Sequence, residues 1–385
     1  MYEGSAVTGS ILQVLTESLD GGRVIYRSLS GTNFDSLYRT LNPLYWKTAE
    51  FAMRRLYDLH EYGWGYLQAL EEFNEDSSYT RRIYRTPGTP VMAHFLARLT
   101  ARKLYRRAGS LFGARRNKWF IAYRHRVGLR TALTDRKDFH VIFPPRGRFY
   151  ADPFLIERQG KTYLFFEDFD YSKNRAGISS VELRDKDFSQ PTTVLEKPYH
   201  LSYPFLLEWE GHVYMIPETR ERGTIELYRA VDFPQKWELC NILAEGVLAV
   251  DPTIFPHNGK LWLFANISVP GASTFDELHL FYADSLEGKW TPHPKNPIVS
   301  DVRRARPAGA LFFEGHKLIR PSQDCSVRYG GSLSFNEVQV LSETDYREKP
   351  YGVIRPDWFP RSVCTHTYNR TDQYEVLDGM LIGRV

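Results

Sequence analysis

Cysteine is scarce in this 385-residue chain: Cys240, Cys325 and Cys364 are the only three, and no two have CxxC spacing. An odd, scattered set argues against a disulfide framework or a thiolate zinc cluster and fits a reducing compartment. Long apolar runs are missing too. The longest, such as Leu261 to Ala265, fall far short of the ~20 residues that cross a bilayer. The first nine residues have no basic n-region and no apolar core, so no secretory signal is expected. The sequons at Asn266 and Asn369 are then expected to be chance matches. P-loop, GxGxxG, HExxH and GxSxG motifs are absent, which removes support for phosphate-loop kinases, dinucleotide enzymes, zincins and α/β-hydrolase esterases.

Acidic residues are missing from one segment. Between Arg81 and Thr134 stand fourteen Lys/Arg and no Asp or Glu, whereas the rest of the chain holds 36 basic against 46 acidic residues. The net charge of +4 conceals this asymmetry. Like charges placed together repel unless something anionic is near, so the block invites a partner. Three readings stay open: a solvated helix facing the acidic remainder, docking on an anionic membrane surface, and nucleic-acid binding. No recognised DNA or RNA module accompanies the charge, so no nucleic-acid partner is expected. Met92, Phe95, Leu96 and Leu99 recur on one helical face, with Arg98, Arg102, Lys103, Arg106 and Arg107 around them. That composition suits a helix lying in an anionic interface. The expected location is cytoplasmic, peripheral at the inner face of the membrane.

With 42% hydrophobic and 25% charged residues, the chain has an ordinary globular composition. At about 150 residues per domain its length admits two or three domains, or one large all-β fold. Helical periodicity covers Trp46 to Tyr62 and Pro90 to Arg107. From about Lys118 the pattern changes to short aromatic and β-branched runs bounded by turn residues, such as Trp119 to Tyr123 and Thr162 to Phe166. Four of these segments share one frame. They open on Asp152-Pro153, Tyr203-Pro204, Asp251-Pro252 and Arg306-Pro307, with the prolines 51, 48 and 55 residues apart. A glycine follows each proline by 7, 7, 7 and 8 residues and then an apolar strand begins. A degenerate fifth unit runs from Cys364 through His366 and Tyr368 to Leu377. A strand, a Gly hairpin, a second strand and a further strand pair per unit predict a five-bladed β-propeller. The strand Trp119 to Arg124, upstream of the first unit, is expected to complete the last blade. The fold class is therefore mainly β, with a small helical and α+β segment ahead of it.

In a propeller the first strand of each blade lines the central channel. The residues before the repeat prolines, Asp152, Tyr203, Asp251 and Arg306, with Val363 in the weak fifth unit, are thus expected to converge there. Asp-Pro also has a plain reading as a turn opening a strand. The Ala-Asp152-Pro153 and Val-Asp251-Pro252 openings resemble the five-bladed glycosidases of the arabinanase/xylosidase and invertase type. That resemblance implies a base or nucleophile at Asp152 and an orienting partner at Asp251. The general acid of such hydrolases, a glutamate just before the fourth-blade proline, has no counterpart in Arg303-Arg304-Ala305-Arg306-Pro307. Glu218 is the candidate substitute, since hydrolysis needs two carboxyl groups at a controlled separation. Arg304, Arg306 and Arg320 are the candidate clamp for phosphate or carboxylate, which the planar guanidinium suits.

More specifically, the stretches YADPFLIERQGKTYLFFED, SYPFLLEWEGHVYMIPET, VDPTIFPHNGKLWLF, ARPAGALFFEGHKLIRPSQDCSVRYG and HTYNRTDQYEVLDG resemble the propeller of the plant glucosamine inositolphosphorylceramide transferases and their bacterial relatives. The resemblance covers about residues 118–385. It implies a carbohydrate-active protein of glycan or glycolipid biosynthesis, a glycosyltransferase acting on a phosphate-linked or anionic sugar. A sugar or glycan substrate and a lipid-linked acceptor are the implied partners. Plant members carry a separate glycosyltransferase domain after the propeller, which this sequence is not expected to contain. Glycoside hydrolysis and non-catalytic glycan binding are the alternatives.

Further channel candidates are Asp324, His366, Glu167 and Asp168. Asp168-Phe-Asp170 is a DxD, as is Asp185-Lys-Asp187, which leaves a divalent metal as the one cofactor considered. In a propeller, however, a DxD falls at a strand-end hairpin. Near the N-terminus, Val7-Thr-Gly-Ser10, Thr16-Glu17 and Asp20-Gly-Gly22-Arg-Val-Ile-Tyr26 resemble the end of a formyltransferase-type domain. Residues 1–80 are accordingly expected to be a remnant of such a domain without formyl chemistry, and 81–117 a basic helical linker.

Overall fold

The computed structural model describes residues 1–17, 22–70, 85–111, 115–133, 138–185 and 187–384. Asp20, Arg81 and Arg82 lie outside the described residues, as do the side chains of Arg106, Arg115, Arg116 and Arg130. Two compact units are present, one of Met1–Arg115 with Val269–Ser273 and a second of Arg116–Ser268 with Thr274–Arg384.

The second unit consists of five sheets of four or five strands. Blade 1 is built on Arg148–Arg158, Lys161–Asp170 and Arg175–Arg184. Blade 2 runs through Ser202–Trp209, His212–Thr219, Thr224–Asp232 and Lys236–Glu245. Blade 3 has Ala249–His257, Lys260–Ile267 and Glu277–Ala283, and blade 4 has Phe312–Glu314, Lys317–Asp324, Ser332–Leu341 and Tyr346–Ile354. Blade 5 joins Ser362–Cys364, Tyr368–Arg370 and Tyr374–Arg384 to Arg115–His125 and His140–Ile142, which come from ahead of blade 1. The predicted five-bladed propeller, with Trp119 to Arg124 in its last blade, is what forms.

The repeat glycines act where expected. Gly160, Gly211 and Gly259 have φ of 72°, 78° and 75°, and Gln159, Glu210 and Asn258 before them are also at positive φ. Two successive residues at positive φ make the type I′ turn whose twist matches that of the flanking strands.

Because successive side chains of a strand point to opposite faces, a sheet covered on both sides is apolar at every position. In blade 1, Leu164 and Phe166 enter the cluster shared with blade 5, while Phe165 enters the cluster shared with blade 2. Three further clusters join blades 2 and 3, 3 and 4, and 4 and 5. Apolar packing therefore runs continuously around the ring. Closure adds a polar contact: Arg124 Nε donates to Glu375 Oε1 at 2.5 Å, and the Tyr368 hydroxyl donates to Glu375 Oε2 at 2.9 Å. Both members of the ion pair are buried.

The N-terminal unit contains an antiparallel pair, Val7–Val14 and Arg23–Gly31, and a long helix, α1 (Leu37–Gln68), interrupted by non-helical dihedrals at Gly63. Ser36 caps α1 by accepting the Arg39 N–H. A second helix, α2 (Thr89–Leu111), sets Phe95 beside Tyr2, with ring centroids 6.4 Å apart. Both helices extend beyond the periodic cores read from the sequence, since capping and fraying residues carry no apolar period. No helix among the described residues is long and apolar enough to cross a membrane.

Truncating one partner of a buried ion pair leaves the other charge unpaired, at a cost of about 3–5 kcal/mol. Arg124→Ala is therefore expected to lower the propeller's unfolding free energy by about that amount, read from urea denaturation.

Candidate functional site

Each of the first three blades opens its channel strand with the same irregularity. Register shifts fall between Ala151 and Phe154, Ser202 and Phe205, and Val250 and Thr253. Within them Asp152, Tyr203 and Asp251 have φ of 51°, 46° and 53°. Left-handed backbone at a non-glycine residue costs about 1–3 kcal/mol and persists only where its surroundings enforce it. The bulge lifts these residues out of the pleat, so the Asp-Pro reading as a mere turn is incomplete.

Asp152 and Asp251 sit in two adjoining clusters. In the first, Asp152 Oδ1 accepts the Thr367 hydroxyl at 2.8 Å and Oδ2 accepts the Tyr203 N–H at 3.2 Å. His366 Nε2 lies 3.7 Å from Asp152 Oδ1, and His366 Nδ1 is 2.5 Å from Asp378 Oδ2. Asp378 Oδ1 also accepts the His366 and Thr367 N–H groups. Trp119 stacks on the His366 ring at 4.0 Å. In the second cluster, Arg306 Nε donates to Asp251 Oδ2 at 2.5 Å and Nη2 to Oδ1 at 3.2 Å, with Glu218 Oε2 3.5 Å from Nη2. Gln323 Nε2 adds a 3.0 Å bond to Asp251 Oδ2. The guanidinium lies 4.8 Å from the centroid of the Tyr329 ring.

Burial governs the protonation of this centre. It pushes Asp152 up to about 7, against the attraction of His366 and with the repulsion of Glu167 and Asp251. Burial, then the charge of Asp251, pushes Glu218 up to about 8 despite Arg306. For His366 burial acts downward, but Asp378 and then Asp152 outweigh it and hold the ring up at about 9. Among the described residues, Asp152, His366 and Asp378 have ligand atoms within 4.8 Å of one another and could hold a metal ion. Those atoms already bind each other and the backbone, so an ion there would have to displace the relay.

The remaining candidates separate. Tyr203 is buried, its hydroxyl paired with Thr253 at 2.9 Å and the Gly309 N–H at 2.7 Å, so it braces the blades. Arg304, Arg306 and Arg320 do not assemble into a clamp. Each guanidinium has its own carboxylate: Asp301 for Arg304, Asp251 for Arg306, and Glu348, inside blade 4, for Arg320. Asp324 accepts the Ser326 N–H at the strand end, and its neighbour Gln323 reaches the channel instead. In blade 5 the contact to Asp152 comes from His366 and Thr367 rather than from Val363, because that repeat lacks the proline that fixes the frame. Glu167 lies 3.3 Å from His200 Nε2, while His200 Nδ1 accepts the Ala176 N–H. The first DxD serves an arginine, since Asp168 and Asp170 both pair with Arg148. The second disperses: Asp185 meets His125, and Asp187 caps the Phe188 N–H. Asn266 and Asn369 are both buried in the propeller.

A second tier escaped the repeat analysis. Glu167, Glu218 and Asn266 each stand fourteen residues after a repeat proline. They pair across the strands with Ala151, Ser202 and Val250, one residue before the bulge. That constant offset was a legible signal. Gln323 and Asp378 complete the contacts from blades 4 and 5, where offsets drift; only the fold reveals them.

These features define a five-bladed propeller with a buried, carboxylate-rich channel. Residues 140–357 match the family described as glucosamine inositolphosphorylceramide transferase 1, N-terminal, and the chain belongs to that family. It is similar to glucosamine inositolphosphorylceramide transferase 1 of Arabidopsis thaliana, 38% identical over 205 residues, covering 52% of this chain and 27% of that one. The Oryza sativa subsp. japonica protein of the same name is 35% identical over 208 residues, covering 52% and 28%. The chain thus spans little more than a quarter of these curated relatives. Among solved structures it is similar to a family 117 glycoside hydrolase of Zobellia galactanivorans, with TM-score 0.42 and 15% identity over 60% of this chain and 84% of that one. An α-L-arabinanase of Cellvibrio cellulosa gives TM-score 0.39 and 14% identity over 57% and 80%.

The raised carboxyls fix a sign for stability. A buried acid whose folded pKa exceeds its unfolded one stabilises fully below the unfolded value, and that contribution is lost as pH rises through the folded value. For Asp152 the window runs from 3.8 to about 7, and for Glu218 from 4.5 to about 8. Measured relative to the parent protein, the melting temperature of Asp152→Asn is expected to improve from pH 3.8 to about pH 7, and that of Glu218→Gln from pH 4.5 to about pH 8.

Proposed function

We propose that the propeller handles sugar in the assembly of a glycan or glycolipid, as a glycosyltransferase module. The observation that supports this reading is the pairing in one channel of two carboxyls, buried Asp152 and half-buried Glu218, both held protonated towards neutrality. Environments that separate the protonation of neighbouring acids are how a site assigns acid and base. Asp152, ionised above about pH 7 and held by Thr367 and the Tyr203 N–H, suits the base that takes a proton from an acceptor hydroxyl. Glu218, which keeps its proton to about pH 8, suits a donor to the leaving oxygen. Asp251 and Arg306 set the field between them. His366, locked by Asp378, orients Asp152. The name borne by the relatives, a glucosamine transferase acting on inositolphosphorylceramide, supports an amino sugar and a lipid acceptor as first choices. For a phosphate-linked donor, Arg304 is the guanidinium of the expected three that retains most exposure.

The test pairs nucleotide-activated hexosamines with inositol-phosphate lipids and follows both transfer and free-sugar release. A bell-shaped rate profile is expected, with limbs near pH 7 and 8. Asp152→Asn should lose roughly 10²–10⁴-fold in rate, and Glu218→Gln should lose the alkaline limb. Free sugar without transfer would identify a hydrolase; full activity in Asp152→Asn would remove the proposed centre.

A further inference from the structure

The N-terminal unit turns its long helix inside out. An ordinary surface helix buries an apolar stripe and exposes its charges. Between Asn42 and His60, α1 does the reverse. The five charged residues of that stretch, Lys47, Glu50, Arg54, Arg55 and Asp58, are all buried or half-buried. Lys47 Nζ donates to Ser30 Oγ, Arg55 Nε donates to the Ile25 carbonyl at 2.6 Å, and Arg55 pairs with Asp58 at 2.6 Å. The charged side of the helix is thus its packing side. Outward stand Tyr38, Tyr45, Met53, Leu56 and Tyr57, each 59–76% exposed, and Trp46, 59% exposed with one edge of its indole against Gly271. At 1.5 Å per residue the uncharged face from Asn42 to His60 is about 28 Å long. Contiguous apolar surface on this scale marks an interaction site.

The chemistry of the surroundings selects the partner. Tryptophan and tyrosine are the side chains enriched at membrane–water interfaces, where an apolar ring ends in a polar atom. Helix α2 supplies charge of a single sign: Arg98, Arg102 and Lys103 are exposed, and the helix has no Asp or Glu. The Arg102 guanidinium of α2 lies 5.3 Å over the ring of Phe34, three residues ahead of α1. The apolar face of α2 itself is partly used inside the unit, with Phe95 and Leu99 gathered around Met1, Tyr2 and Phe34. We propose that the outward face of α1, acting with the basic side chains of α2, docks this protein on an anionic lipid bilayer. The aromatic face enters the headgroup region and the arginines hold the anionic surface. This inference stands independently of the channel chemistry.

Co-sedimentation of the full chain with phosphatidylcholine vesicles, with and without phosphatidylglycerol, tests it. Binding is expected to the anionic vesicles and to fall as salt shortens the reach of the charges to about 8–10 Å and below. Tyr45→Ser/Trp46→Ser/Leu56→Ser should abolish it with an unchanged circular dichroism spectrum. Arg98→Gln/Lys103→Gln, which leaves the apolar face intact, should weaken it about fivefold for each charge removed. Equal, negligible sedimentation with both vesicle types would overturn the proposal. So would a dimer in analytical ultracentrifugation that dissociates in the triple variant while the parent ignores vesicles, which would make the face a contact between copies.

Discussion

Closure of the ring on a sheet drawn from both ends of the propeller sequence is the constraint on which everything else rests. The inner strands of blade 5 come from Ser362–Arg384, and its outer strands precede blade 1. Arg124 and Glu375, 251 positions apart, meet there in a dry contact that also holds Tyr368. Once this sheet forms, each blade has a neighbour on both faces, and the apolar clusters run round without a break. Closing so long a loop is slow but not thermodynamically prohibitive, because closure entropy grows only with the logarithm of loop length. An ion pair buried at the seam also fixes the register of the last strands against the first.

Closure makes the channel, and the channel sets the chemistry. Carboxylates that would titrate near pH 4 in water are brought together where water is excluded, so protons are retained close to neutrality. The strained residues Asp152, Tyr203 and Asp251 are tolerated because their partners come from other blades: Thr367, Gly309 and Arg306. Arginine at the fourth opening changes the balance further. Arg306 pairs with Asp251 there, while Glu218, on the second strand of blade 2, is held protonated towards neutrality.

The N-terminal unit follows a different economy. Its two-stranded sheet sets Tyr26 against Phe51 of α1, which otherwise meets the sheet with Lys47 on the Ser30 hydroxyl and Arg55 on the Ile25 carbonyl, Arg55 also holding Asp58. What remains exposed is the aromatic side of the helix. Apolar surface gains free energy when it leaves water, which is the physical reason to look for a surface that covers this face.

By itself, the sequence determined the number of blades, the turns and the first tier of channel residues. Those features repeat with a period, and period is a local property of a chain. It also located Glu167, Glu218 and His366 as candidates, and the constant fourteen-residue offset held Asn266 within reach. It could not determine which side chains would meet across the axis. Asp378, Gln323 and Thr367 carry no motif; their importance arises because strands more than seventy residues away in sequence deliver Asp152 or Asp251 to the same point. Nor could it show that Arg320 and Tyr203 would be consumed by partners inside and between blades. The helical period of α1 was readable, but a period gives two faces and not which one turns inward. That was decided by the tertiary structure, where the sheet beside the helix offered hydrogen-bonding groups that only its charged side could satisfy.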